Sequence, residues 1–396
     1  MSLRKKKDQK NDERGLPHRK SMAGPTLLGS VTQPGAIKKS IVADMVGKQA
    51  VTTFTEPETV ALHYVPPKDY TALEGRIKLN SVIDVNKEIL CCKYNEEFDF
   101  LAAGCSDGSI SLYQADTSEF VLTLTDDDLL GSTAPVTAIQ HRPVSKSYPI
   151  NANGYVKCWN YNFKQCLYTI KESRECFGIT YHPRYPKYVT YGDDSKIYLY
   201  DEESKTQERI LSSSNNPKIH DGHTSRVFAA CFHPRSNYEL LTGGWDDVVH
   251  FWDLRQPHAV RHIYGVHMCG EGIDINYKGT EVLTCSFQAE NAFQIFDYGS
   301  GNLIGTLSRD EESSKLYVGK YVGKDFAVCG GTQANLFRVI DLSSNLSVAS
   351  VIGLPAAVYS LDLGAPKKGN VARLDIGGLP QMAFLSGRKL YQVEFN

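Results

Sequence analysis

The chain has 396 residues, room for two or three average domains or a single large one, and a formal net charge of −2. That near-balance leaves no overall field to attract nucleic acid or an anionic membrane. Its ten cysteines are scattered with no C-x-x-C pair, which excludes the clustering of a zinc site or a disulfide framework.

Residues 1–20 depart from the average, with eight Lys or Arg (Arg4, Lys5, Lys6, Lys7, Lys10, Arg14, Arg19, Lys20) against three acids. Polar residues follow them, so the apolar core of a signal peptide is missing. No later apolar run approaches the roughly 18 residues of a membrane span. The expected setting is cytoplasmic, with nucleus and cilium as alternatives. Residues 1–35 mix Lys, Arg, Gly, Pro and Ser without periodicity and read as disordered. In 36–46, Ile37, Ile41, Val42, Met45 and Val46 fall at helical spacing ahead of Gly47. So short a helix is marginal in water and needs a surface to form on. Residues 1–74 are therefore expected to be a basic extension.

Beyond it the pattern becomes β. Segment 76–84 (RIKLNSVID) alternates as a strand, and a unit then recurs with a period of about 40–50 residues. Each unit has an apolar strand, a second strand ending in small residues, a polar turn, and a third strand closing on an aromatic. The first copy reads 90–94, 101–104, a turn at Asp107-Gly108, and 109–113. The second has 136–141, a turn at Asn153-Gly154, and 155–159; the third has 177–182, 188–190, a turn at Asp194-Ser195, and 196–200. The fourth begins at 227–233 and continues through LLTGGWDDVVHFWDLR at 240–255. The fifth covers 272–277, 281–286 and 292–296, the sixth 316–321, 326–329 and 336–340, and the seventh 358–363, 381–385 and 389–395. Tyr and Phe in short alternating runs such as 196–200 suit half-buried strands.

Seven such units predict an all-β fold, a seven-bladed β-propeller over residues 75–396. The seventh copy stops after three strands, and segment 76–84 can supply its fourth, which removes an open sheet edge.

The fourth copy, with Gly222-His223 ahead of it, closely resembles the WD-repeat family. That resemblance assigns His223, Thr242, Asp246 and Trp252 to a structural hydrogen-bond network. Asp accepts from His, His meets Thr, and Thr meets the Trp N–H. A His, an Asp and a hydroxyl invite comparison with a catalytic triad, but this hydroxyl sits inside a strand and not on an exposed elbow. No G-x-x-x-x-G-K-[ST], G-x-S-x-G or H-E-x-x-H motif occurs. No catalytic group, metal or cofactor is expected.

WD proteins often bind partners where the turns after the second strands meet the channel. Register places Ser106, Ala152, Asp193 and Trp245 there, with Arg226 beside them. Asp193 and Trp245, on adjacent blades, are expected to seat a partner's Arg or Lys. At the other face, Trp252-Asp253-Leu254-Arg255 resembles the W-D-x-R box of substrate receptors of cullin-4 ubiquitin ligases, implying an adaptor contact through Asp253 and Arg255. The expectation is a non-catalytic scaffold, a monomer within a multi-protein complex, that binds protein partners and not membrane or nucleic acid. A ligase receptor and a ciliary or microtubule component stand as alternatives.

Overall fold

Two burial patterns divide the strands. Second strands such as Phe100–Cys105 and Glu239–Gly244 are buried almost throughout, as continuous apolar and small-residue runs require. Outer strands such as Gln165–Lys171 and Ala259–Tyr264 alternate between more exposed and more covered positions. A strand's rank within its sheet is thus written in its composition.

The structure is a computed structural model that describes residues 71–128, 134–141, 147–152, 154–216, 218–307, 314–332, 335–365 and 376–396. The expected 36–46 helix and the basic cluster lie outside the described residues. No helix among those described is long and apolar enough to cross a membrane.

The described strands form seven antiparallel sheets. Sheet one holds Ile89–Tyr94, Phe100–Cys105, Ile110–Gln114 and Phe120–Leu124. Sheet two holds Val136–Ile139, Ser147–Ala152, Tyr155–Asn160 and Gln165–Lys171. Sheet three holds Cys176–Tyr181, Lys187–Gly192, Ile197–Asp201 and Thr206–Leu211. Sheet four holds Val227–Phe232, Glu239–Gly244, Val248–Asp253 and Ala259–Tyr264. Sheet five holds Ile273–Ile275, Glu281–Cys285, Phe293–Asp297 and Leu303–Thr306. Sheet six holds Leu316–Val322, Phe326–Gly331, Phe337–Asp341 and Leu346–Ile352. Sheet seven holds Leu361–Leu363, Met382–Ser386 and Lys389–Phe395, with Ile77–Asp84 antiparallel to the last of these.

This is a β-propeller. The apolar core is divided into clusters that each bridge consecutive sheets. Leu240 and Trp252 of sheet four, for example, pack with Val189 and Leu199 of sheet three. One cluster joins Ala383, Leu385 and Leu390 of sheet seven to Cys92 and Leu101 of sheet one. Within each sheet, a small residue at the end of the second strand lets the backbone leading into the first strand pass close by. A Cβ on Gly192 would stand 1.9 Å from the Glu175 carbonyl oxygen, and one on Gly244 would stand 2.1 Å from that of Arg226. In the turns that follow, Gly108, Gly154 and Asp247 share a positive φ, of 85°, 79° and 60°. That accounts for the Gly and the second Asp there.

One strand departs from the reading of the sequence. Ala72–Gly75 pairs antiparallel with the 349–352 end of Leu346–Ile352 and makes sheet six five-stranded. Residues 72–74, assigned above to the extension, are thus strand. All four residues of this element are exposed, so no alternation marks it in the sequence.

Candidate functional site

In sheet four, His223 and Thr242 are completely buried. The Trp252 indole N–H can only donate, so its 2.7 Å contact makes Thr242 Oγ1 the acceptor. The single threonine proton then goes to His223 Nε2, also at 2.7 Å. That leaves His223 Nδ1–H to donate to the Asp246 carboxylate, at 2.9 and 3.0 Å. Asp246 also accepts the Thr224 backbone N–H at 2.9 Å. Burial works against the Asp246 charge, but the His223 and Thr224 bonds outweigh it and hold its carboxyl below the usual range. The four residues form one directed chain with every proton placed.

His223, Asp246 and His250 bring potential ligand atoms within 4.8 Å of one another. The trio does not suit a metal, because both His223 nitrogens are committed to the chain just described.

The first strands of consecutive sheets touch and line the axis. A bulge in three of them falls at Phe177, Phe228 and Tyr317, the residues skipped in the pairing of their strands. Bulges re-aim side chains, and here they gather aromatics at one mouth of the channel. Phe177 stacks on Phe228 with centroids 4.9 Å apart, Phe228 on Trp245 at 5.6 Å, and Trp245 on His267 at 6.0 Å. On the other side Phe287 meets Tyr317 at 5.0 Å and Tyr317 meets Tyr359 at 4.9 Å. Trp245 remains 41% exposed, with its Nε1–H donated to Cys269 Sγ at 2.9 Å.

Ser106, Asp193 and Trp245 occupy one repeated backbone corner. Their N–H groups donate to the carbonyls of Glu88, Glu175 and Arg226 at 2.9, 3.0 and 2.9 Å. The Asp193 carboxylate accepts the Glu175 N–H at 3.1 Å, whereas the cation against Trp245 is the chain's own Arg226, 5.2 Å from the ring. The reason is local: Arg226 precedes the strand whose bulge carries Phe228, so its guanidinium reaches the indole without a partner's help.

At the opposite end of sheet four, Arg255 folds back on Asp253. Its Nε lies 2.9 and 3.1 Å from the two carboxylate oxygens and its NH2 2.5 Å from one of them. The guanidinium also covers the Tyr238 ring at 4.7 Å. The Arg255 bonds hold the Asp253 carboxyl below the usual range.

The profile of the family described as "WD domain, G-beta repeat" matches residues 78–114 and 214–253. The second of these segments contains the whole His223–Thr242–Asp246–Trp252 chain. The β-propeller carries WD-type repeats. Among curated relatives, ribosome biogenesis protein YTM1 of Laccaria bicolor is 29% identical over 114 residues, 28% of this chain and 24% of its own length. Probable coatomer subunit beta' of Schizosaccharomyces pombe is 23% identical over 206 residues, 51% of this chain and 23% of its own length. The chain thus spans about a quarter of each of these relatives.

The WD-repeat propeller holds a second network that the sequence reading missed. In sheet three, Thr190, Asp194 and Tyr200 stand where Thr242, Asp246 and Trp252 stand in sheet four. The histidine's place is taken by a buried ion pair, with Arg174 Nε 2.7 Å from Glu172 Oε2. Glu172 Oε1 accepts the hydroxyls of Thr190 at 2.5 Å and Tyr200 at 2.8 Å. Arg174 continues to Asp194 and to the Thr190 carbonyl oxygen, the latter at 2.9 Å. Burial works against the Arg174 charge, but Glu172 and Asp194 outweigh it and raise its pKa. Glu172-Ser173-Arg174 could have been noticed as an acid and a base both ahead of an apolar strand, but nothing in that triplet signals burial.

Proposed function

We propose that this chain is a non-catalytic interaction platform in a multi-protein complex, and that the aromatic channel mouth is its working face. The ring would have seven blades over residues 72–396, closed by segment 76–84, with residues 1–71 as a basic extension ahead of it. The observation that carries this reading is Trp245, a large aromatic left 41% exposed among Phe228, His267 and Arg226. Tryptophan and arginine dominate the energetic centres of protein interfaces because they bury much area with few rotors. The two side chains already touch, so less ordering remains to be done on binding. The name of the coatomer relative, a subunit, is that of a protein working within an assembly.

The test is affinity purification with the intact chain and Trp245→Ala, alongside their melting temperatures. Loss of a partner at unchanged melting supports the reading, while an unchanged set of partners overturns it. The same purification with Arg255→Ala decides the ligase-receptor alternative, which requires a cullin-4 adaptor to be recovered with wild type and lost with the variant. Deletion of residues 1–70 decides the ciliary alternative through loss or retention of tubulin.

A further inference from the structure

Between sheets three and four, at the strand ends opposite the aromatic mouth, lies a cavity of about 390 Å³. Leu199 and Arg209 line it from sheet three, and Asn237, Tyr238 and Leu254 from sheet four. Tyr185 and Tyr238 also contribute to its wall while remaining 45% and 46% exposed.

The charges around it are unequally served. Lys187 Nζ lies 2.5 Å from Glu208, and Arg255 is held by Asp253. Arg209 has no ion pair among the described residues, and its Nε is buried without a hydrogen-bond partner. Asn237, which lines the same cavity, likewise has its Oδ1 buried and unpartnered. Each orphan is a cost to the folded protein, and an entering group of the opposite kind removes that cost. One orphan is a donor and the other an acceptor. A bare anion would serve only the first.

We propose that this cavity docks an acidic segment of a protein partner. An Asp or Glu carboxylate accepts the Arg209 Nε–H, a main-chain N–H of the same segment donates to Asn237 Oδ1, and the two exposed tyrosines flank the entering chain. The surface is separate from the channel mouth and does not depend on Trp245.

The test is fluorescence anisotropy of the intact chain titrated with fluorescein-labelled octaglutamate in low salt. Saturable binding is expected. Arg209→Gln should weaken it about tenfold or more, as loss of a charge-assisted hydrogen bond in a desolvated site does. Tyr185→Ala, at an exposed position that leaves the core intact, should weaken it as well. Trp245→Ala should leave it unchanged, so that failure here and failure of the mouth reading are told apart. The proposal is overturned if Arg209→Gln and Tyr185→Ala both bind within about twofold of wild type, which would move the binding to the basic cluster in residues 1–20. Tighter binding of a phosphoserine–glycine octamer than of octaglutamate would also overturn it, as would no saturation.

Discussion

Thr242→Val replaces a hydroxyl by a methyl of nearly equal volume, so it tests the sheet-four network without opening a cavity. Thr242 is fully buried, and its hydroxyl serves two partners at 2.7 Å, the Trp252 N–H and His223 Nε2. The substitution leaves a buried donor and a buried acceptor unpaired. At roughly 1–3 kcal/mol each, the expected loss is about 2–6 kcal/mol. The matched control is Thr284→Val, at the same position of sheet five, where the hydroxyl makes a single 3.4 Å contact with the Gln294 carbonyl oxygen. A bond that long contributes little, and the expected loss is under about 1 kcal/mol. Urea unfolding followed by far-UV circular dichroism measures both, and near-UV circular dichroism reports the asymmetric environment of Trp252. Equal losses for the two variants would refute the reasoning. So would a loss for Thr242→Val below about 0.5 kcal/mol, the range of an ordinary surface change.

Three further outcomes follow from the same geometry. Burial lowers the His250 pKa from 6.5 to about 3. The folded state therefore keeps this ring neutral while the unfolded chain protonates it. The associated stability is fully present above pH 6.5 and drains away as pH falls towards 3, by up to about 1.4 kcal/mol per pH unit. Denaturation at a series of pH values should show a shallower acid decline for His250→Phe than for wild type. Glu172→Gln should cost about 3–5 kcal/mol by urea unfolding, because it removes the closest counter-charge of the buried Arg174, and Arg174→Met in the same background should recover part of that loss. Deleting residues 1–75 removes the added strand of sheet six, whereas deleting 1–84 also removes the strand that completes sheet seven. Thermal melting and size-exclusion chromatography should show a folded monomer for the first deletion and aggregation for the second.

The repeat was legible because each blade reuses one solution to one packing problem. Small residues end the second strand where Gly192 and Gly244 meet the neighbouring backbone, and a turn residue with positive φ follows where Gly108, Gly154 and Asp247 reverse the chain. The network around His223 was legible because the fourth copy resembles a WD repeat closely enough for that resemblance to assign all four residues. Its counterpart in sheet three was not, since Glu172 and Arg174 are residues that ordinarily face water, and only tertiary packing reveals that they are buried. The strand Ala72–Gly75 escaped for the converse reason. It is held by backbone pairing with Ala349–Ile352 and covers no core, so its side chains carry no record of it. At the channel mouth the register of Trp245 was legible, but not the aromatic stack and the Arg226 contact around it. Spacing along a chain does not show which way a bulge turns a side chain, and the Phe228 bulge decides that aromatic stack.

The seventh sheet has a consequence for the order of events during synthesis. Asn80 in its outer strand is hydrogen-bonded to Glu394, 314 positions away. A strand made early is therefore among the last to find its partner. Until the Lys389–Phe395 segment emerges, Ile77 and Leu79 have no sheet to join, and the earlier sheets form an arc that lacks the contacts joining sheet seven to sheet one. Contacts so distant in sequence are slow to form, and an open arc of half-covered strands is sticky while it waits. Newly made chains should therefore need protection until the Lys389–Phe395 segment is available. Substitutions in Ile77–Asp84 should lower the yield of folded protein by more than their effect on the stability of the finished ring.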